Sequence, residues 1–106
     1  MVTIDDFKKL NLVVATVRRV EVHPEADRLY LLTVDLGREE RTLVAGIKKY
    51  YRPEELEGKQ LVVVENLEPA TIRGVESRGM ILAAQYGETL SVLVMDRAIA
   101  PGAVVS

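Results

Sequence analysis

The sequence predicts an all-β chain. It reads as a small barrel of five strands, with a short N-terminal helix, a short helix between strands 3 and 4, and a C-terminal extension. Three observations carry this. Short apolar, β-branched runs recur along the chain, with Gly, Pro and Asp turn signals between them. The first run, Leu12 to Val22, is longer than an ordinary strand, so it is expected to bend and serve two sheets. Only two stretches read as helical, and both are short.

Thr3 and Asp6 have capping-box spacing, which predicts a helix running to about Leu10 with Ile4, Phe7 and Leu10 buried on one face. The first strand begins at Leu12. Its first half is apolar on both faces, and its second half alternates through Val20 and Val22. His23-Pro24-Glu25-Ala26-Asp27 ends it in a turn. Tyr30 to Leu36 and Arg41 to Val44 follow as a hairpin through Asp35-Leu36-Gly37-Arg38. Pro53-Glu54-Glu55-Leu56 is one helical turn with proline at its start, ended by Gly58. Gln60 to Glu65 is the fourth strand. Asn66 to Arg78 reads as a long connection, too long and polar for a hairpin, and Gly79 opens the fifth strand, which runs through Ala84. Gly87-Glu88 turns into a further strand from Leu90 to Met95, and Ala103-Val104-Val105 is a candidate edge strand. No repeat or linker interrupts residues 1–106, which are expected to form one domain with one core. The bent first strand and the helix between strands 3 and 4 favour an OB-like barrel over a sandwich.

Composition narrows the function. A chain that is 48% hydrophobic with mixed charges is no disordered tail. Because 14 Lys+Arg stand against 16 Asp+Glu, it cannot coat nucleic acid by bulk charge. The absence of cysteine removes disulfides, thiolate metal sites and a Cys nucleophile, and fits a reducing compartment, so a cytoplasmic setting is expected. The first residues do not read as a signal peptide. No apolar run reaches the roughly 18–20 residues of a membrane span, so no membrane partner is expected. His23, directly before Pro24, reads as a polar residue ending a strand, with no partner group to make it an acid or base. Glu39-Glu40 and Glu54-Glu55 read as solvated faces. No Gly-rich phosphate loop or metal-ligand spacing is present, and no catalytic residue, metal or cofactor is expected.

Local charge points elsewhere. Arg18, Arg19, Arg28, Lys48, Lys49, Arg52, Arg73 and Arg78 fall at strand ends and loops, whereas acids gather around 39–40, 54–57 and 65–68. A small barrel can present such cations to RNA phosphates and soft side chains to bases. Lys48-Lys49-Tyr50-Tyr51-Arg52 mixes both kinds, although its tyrosines can equally pack on the barrel. In the 69–80 segment, Arg73, Ser77 and Arg78 can donate to phosphates or base edges, and its glycines allow a sharp turn or a close approach. Met80 suits a soft contact to a base or sugar, or a core position.

Four ordered motifs resemble one family. His23-Pro24-Glu25-Ala26-Asp27-Arg28-Leu29, Ala45-Gly46-Ile47, Asn66-Leu67-Glu68-Pro69 and Gly74-Val75-Glu76-Ser77-Arg78-Gly79-Met80-Ile81-Leu82 look like the OB-fold tRNA-binding domain. The resemblance spans nearly the whole chain. Through Lys48 to Leu56 it is similar to the β subunit, or C-terminal dimerisation domain, of archaeal-type methionyl-tRNA synthetase. It implies non-catalytic binding to the outer corner of tRNA, by shape more than sequence, in a homodimer partnered with the synthetase catalytic subunit. By motif it implies tRNA-binding roles for Arg28, Asn66, Arg73, Ser77 and Met80, with Arg78 an added donor. Arg28 stands where the family usually has Lys. Thr71 stands at a usually cationic position, leaving that charge to Arg73. The N-terminal helix and the tail from Ile99 to Val105 are the expected dimer surface. Related readings are a free-standing tRNA-binding protein and a chaperone-like protein-interaction module of the same barrel family.

Overall fold

The computed structural model describes every residue from Met1 to Ser106. Its centre is β1 (Leu12–Val22), which pairs with β4 (Gln60–Val64) along its first half and with β2 (Tyr30–Asp35) along its second. The expected bend is a β-bulge at Arg18, between the Val17–Val34 and Arg19–Thr33 pairs. One extra residue changes which face the side chains take. Val13, Ala15 and Val17 point into the core before the bulge, and Val20 does so after it. Without the bulge Arg19 would point inward; instead it is exposed.

The remaining strands wrap around β1. β2 alternates strictly, burying Tyr30, Leu32 and Val34, and pairs with β3 (Glu40–Ala45), which adds Leu43 and Ala45. A single helical turn, Pro53–Leu56, buries Leu56 beneath the barrel wall. β1 is apolar on both faces in its first half because an outer cluster of Leu12, Val62 and Val64 is covered by Leu82, Met95 and Val105. The C-terminal strand Val104–Val105 occupies the edge of β1 that β2 leaves free, so that edge does not stay open. The architecture is the all-β barrel that the strand spacing predicts.

Three local expectations need correction. Asn66 to Arg78 is not one irregular connection: it contains a hairpin, β5 (Ala70–Ile72) and β6 (Val75–Ser77). Arg73 (φ +53°) and Gly74 (φ +89°) both take the left-handed region, which makes a two-residue hairpin turn possible. The predicted fifth strand is split into β7 (Met80–Ile81), on the edge of β4, and β8 (Ala83–Tyr86), which pairs with β9 (Thr89–Val92). The N-terminal helix, α1, has its capping box but spans only Ile4–Phe7 and buries nothing. Ile4, Phe7 and Leu10 are 67%, 39% and 44% exposed because no other element lies across them.

Gly79 is where the barrel closes. Its φ is +133°, and a Cβ there would lie 3.0 Å from the Val64 carbonyl oxygen and 3.1 Å from Leu43 Cδ2, so the chain can pass between β3 and β4 only with glycine. Beside it, the Arg78 N–H donates to Thr42 O (3.2 Å) and the Val44 N–H donates to Ser77 Oγ (3.0 Å). One backbone bond and one side-chain bond thus join the free edge of β3 to the chain leaving β6.

Candidate nucleic-acid interface

The β5–β6 hairpin leaves the end of β4 and reaches the far end of the barrel, where its tip meets the β1–β2 loop. Two contacts make that junction. Arg73 Nη2 donates to the Glu25 carbonyl at 3.3 Å, and His23 Nε2 lies 3.1 Å from the Ile72 carbonyl oxygen. The Glu25 N–H donates to His23 Nδ1 at 3.0 Å, so the ring proton is on Nε2, aimed at Ile72. Between the loop and the hairpin tip lies a cleft of about 340 Å³, lined by Ala26, Asp27, Arg28, Leu29 and Arg73. The structure therefore brings together two predicted site residues, Arg28 and Arg73, from distant parts of the chain. A left-handed arginine costs roughly 1–2 kcal/mol relative to its ordinary conformation, which the fold supplies at this tip.

Ion pairing separates the predicted cations into two groups. Arg18 pairs with Asp35 (2.8 Å), Arg19 with Glu21 (3.0 Å), and Arg52 with Glu54 and Glu55 (3.6 and 3.7 Å). Arg38 and Arg41, which the sequence does not single out, bind Glu65 and Glu39 near the end of β4. Arg28, Arg73, Arg78, Lys48 and Lys49 have no carboxylate within 4.0 Å. Lys48 and Lys49 lie beyond Gly46, which approaches Leu29 of the β1–β2 loop, and so belong to the same end of the barrel as the cleft. Of the two neighbouring tyrosines, Tyr51 takes the packing role: it packs on the core, accepts the Tyr30 hydroxyl proton at its carbonyl (2.6 Å), and receives the Val92 N–H at its hydroxyl (3.1 Å), whereas the Tyr50 hydroxyl accepts from Gln85 (3.2 Å).

The other predicted residues stand apart from the cleft. Asn66 accepts the Asn11 N–H (2.8 Å) and donates to the Lys9 carbonyl (2.7 Å), fastening the N-terminal segment at the opposite end. Ser77 is buried, and besides accepting from Val44 its hydroxyl donates to Gly79 O (3.1 Å), so its hydrogen bonds are spent inside the barrel. Arg78 is exposed on the β3 side and helps hold the Glu39 carboxyl low, after the larger effect of Arg41. Met80 pairs with Val64 on the outer face and is 48% exposed, which settles it as a surface methionine. His23, read from sequence as a polar strand end, is one of only two buried polar residues. Its signal was the His-x-Glu spacing, which lets a side-chain acceptor take an N–H two residues on.

Titration follows the same division. Asp35 is held below the usual carboxylate range by the Gly37 N–H (2.7 Å) and by Arg18. Burial pushes the Tyr30 phenol up, helped by Glu54 and Glu55. No cluster of three or more metal-ligating side chains is present.

The opposite end of the molecule carries a different feature. A groove of about 610 Å³ lies between α1 and the C-terminal strand, lined by Ile4, Phe7, Leu10, Leu12, Val104 and Val105 among others. Val104 is 82% exposed.

Comparison with known proteins places this geometry. The family model described as "Putative tRNA binding domain" matches residues 12–104. The chain belongs to this tRNA-binding domain family. Methionine–tRNA ligase of Pyrococcus horikoshii is 54% identical to this tRNA-binding domain over 102 residues, 96% of the chain but 14% of that protein. The chain therefore spans about one-seventh of that relative's length. A methionyl-tRNA-synthetase-related protein of Pyrococcus horikoshii superposes with a TM-score of 0.94 at 36% identity, covering 100% of this chain and 98% of that one. The chaperone CsaA of Bacillus anthracis superposes with a TM-score of 0.92 at 29% identity, covering 100% and 99%. No helix is long and apolar enough to cross a membrane.

Proposed function

We propose that residues 1–106 act as one OB-like domain that binds tRNA without catalysing a reaction on it, using the Arg28–Arg73 cleft to hold a backbone phosphate. The observation that carries this is the convergence on one cleft of two arginines free of carboxylate partners. Phosphate contacts fix position without reading sequence, which supports recognition of tRNA shape. Arg78, Lys48 and Lys49 add positive potential, and exposed Met80 offers an apolar contact to a base or sugar. Asn66 and Ser77 contribute by holding the backbone. In this reading the domain works in the cytoplasm beside the methionyl-tRNA synthetase catalytic subunit, whose affinity for tRNA it raises.

The apolar groove of α1 and the C-terminal strand is assigned to a second copy of the chain. Exposed Ile4, Leu10 and Val104 are costly in water and would be covered in a homodimer. Two linked weak sites raise effective affinity without new contacts.

A titration of labelled tRNA followed by anisotropy tests the site. Arg28→Ala and Arg73→Ala should each weaken binding about tenfold and lower the salt slope by about one. Unchanged affinity in both variants would refute the cleft. The second reading, a chaperone-like module, rests on the same groove, which could take an apolar stretch of an unfolded polypeptide. If an unfolded client binds the groove while tRNA holds the cleft, that reading gains; if the client binds only where tRNA does, or not at all, that reading fails.

A further inference from the structure

Building on the reading of Arg28 and Arg73 as a phosphate pair, we propose that His23 is the positioning residue of the cleft: its ring clasps the tip of the β5–β6 hairpin to the β1–β2 loop and so sets Arg73 opposite Arg28. The ring is 2% exposed and both nitrogens are engaged, Nδ1 by the Glu25 N–H and Nε2 by the Ile72 carbonyl. Only the neutral Nε2–H form makes both bonds. One bond shapes the loop locally. The other spans 49 positions of sequence and ties the loop to the residue directly before Arg73.

The hairpin needs this anchor. Its strands have three residues each, too few for a two-stranded ribbon to hold itself. Ser77 fixes its base through Val44 and Gly79, but that fixes nothing at the tip. The only other hydrogen bond there is Arg73 to Glu25, at a long 3.3 Å, and a bound phosphate would compete for that same guanidinium. Arg28 belongs to the loop itself and does not depend on the clasp. Loss of the His23–Ile72 bond should therefore release Arg73 while leaving Arg28 in place.

Two substitutions separate the two bonds. In His23→Asn the amide oxygen can replace Nδ1 and keep the Glu25 bond, but the side chain is too short for Ile72. In His23→Gln the amide nitrogen can replace Nε2 and keep the Ile72 bond. Each is combined with Arg73→Ala and, separately, with Arg28→Ala, and tRNA affinity is measured by anisotropy after thermal melting has confirmed a cooperative fold. His23→Asn should weaken binding by about the tenfold factor of Arg73→Ala, after which Arg73→Ala should change nothing and Arg28→Ala should keep its full effect. His23→Gln should keep the full Arg73→Ala effect. An undiminished Arg73→Ala effect in the His23→Asn background would overturn the clasp. If His23→Asn does not fold, loss of the Arg73→Ala effect in His23→Gln overturns it instead. If neither arginine matters in the unmutated chain, the phosphate reading itself fails, a result distinct from failure of the clasp alone.

Discussion

At one end of the barrel, two loops present arginines that no carboxylate neutralises; at the other, a short helix and the last strand present apolar side chains that no core covers. β1 connects the two ends, with His23 just beyond its last residue and Asn11 just before its first, along roughly 35 Å of strand path. The wall between them is an ordinary alternating core. The difference shows how a chain of net charge -2 can offer both a basic site and an apolar one. Six of the arginines pair with acids, leaving Arg28, Arg73 and Arg78 as the arginines without a carboxylate partner.

The two ends can be broken separately. The largest effect is expected in the groove. Ile4→Asp places an unpaired carboxylate where a second copy would desolvate it, a penalty on the order of several kcal/mol. Sedimentation should show dimers becoming monomers, and the melting temperature should fall to that of an isolated chain, because a partner subunit stabilises the fold by mass action. A monomeric unmutated chain at micromolar concentration would remove the groove's assignment. Next is Ser77→Ala, which leaves the part-buried Val44 N–H without its acceptor and should cost about 1–3 kcal/mol. Thermal melting reads this as a loss of stability, with residual binding by the folded fraction. Arg28→Ala and Arg73→Ala come third, each worth about 1.4 kcal/mol of binding at tenfold, with little change in folding because neither makes an ion pair and Arg73 gives up only its long bond to Glu25 (3.3 Å).

The smallest effect is in pH. Asp35, through the Gly37 N–H and then Arg18, and Glu39, through Arg41, are held below the usual carboxylate range. Their charged forms are favoured in the fold. The stability they add is complete above the unfolded carboxylate pKa of about 4 and is lost as pH falls through the lower folded values. The melting temperature should therefore stay level from neutral pH to about 5 and fall below about 4, and Asp35→Asn should reduce that fall.

The barrel was legible because alternation along β2 and the double-sided apolar half of β1 record burial directly. The β5–β6 hairpin was not, because its turn places an arginine in a conformation that Asn or Gly usually signals. The buried face expected of α1 is absent for a different reason: periodicity marks an apolar face but not whether the chain's own core lies against it. Of the site residues, Arg28 and Arg73 could be listed from sequence, but their meeting depends on His23 and on the hairpin's reach. Ser77 and Asn66 look like RNA donors in a sequence and turn out to be bound to backbone. A polar residue's partner is a tertiary fact.

If the Arg28–Arg73 cleft holds the RNA backbone, tRNA meets the loop end of the barrel and leaves the groove free. Titrating tRNA into ¹⁵N-labelled protein and following backbone amides tests it directly. Shifts should concentrate at residues 24–29 and 70–78, with residues 3–13 and 103–106 unmoved. Shifts concentrated in the groove, with the cleft silent, would place tRNA at the opposite end and overturn the cleft as its site.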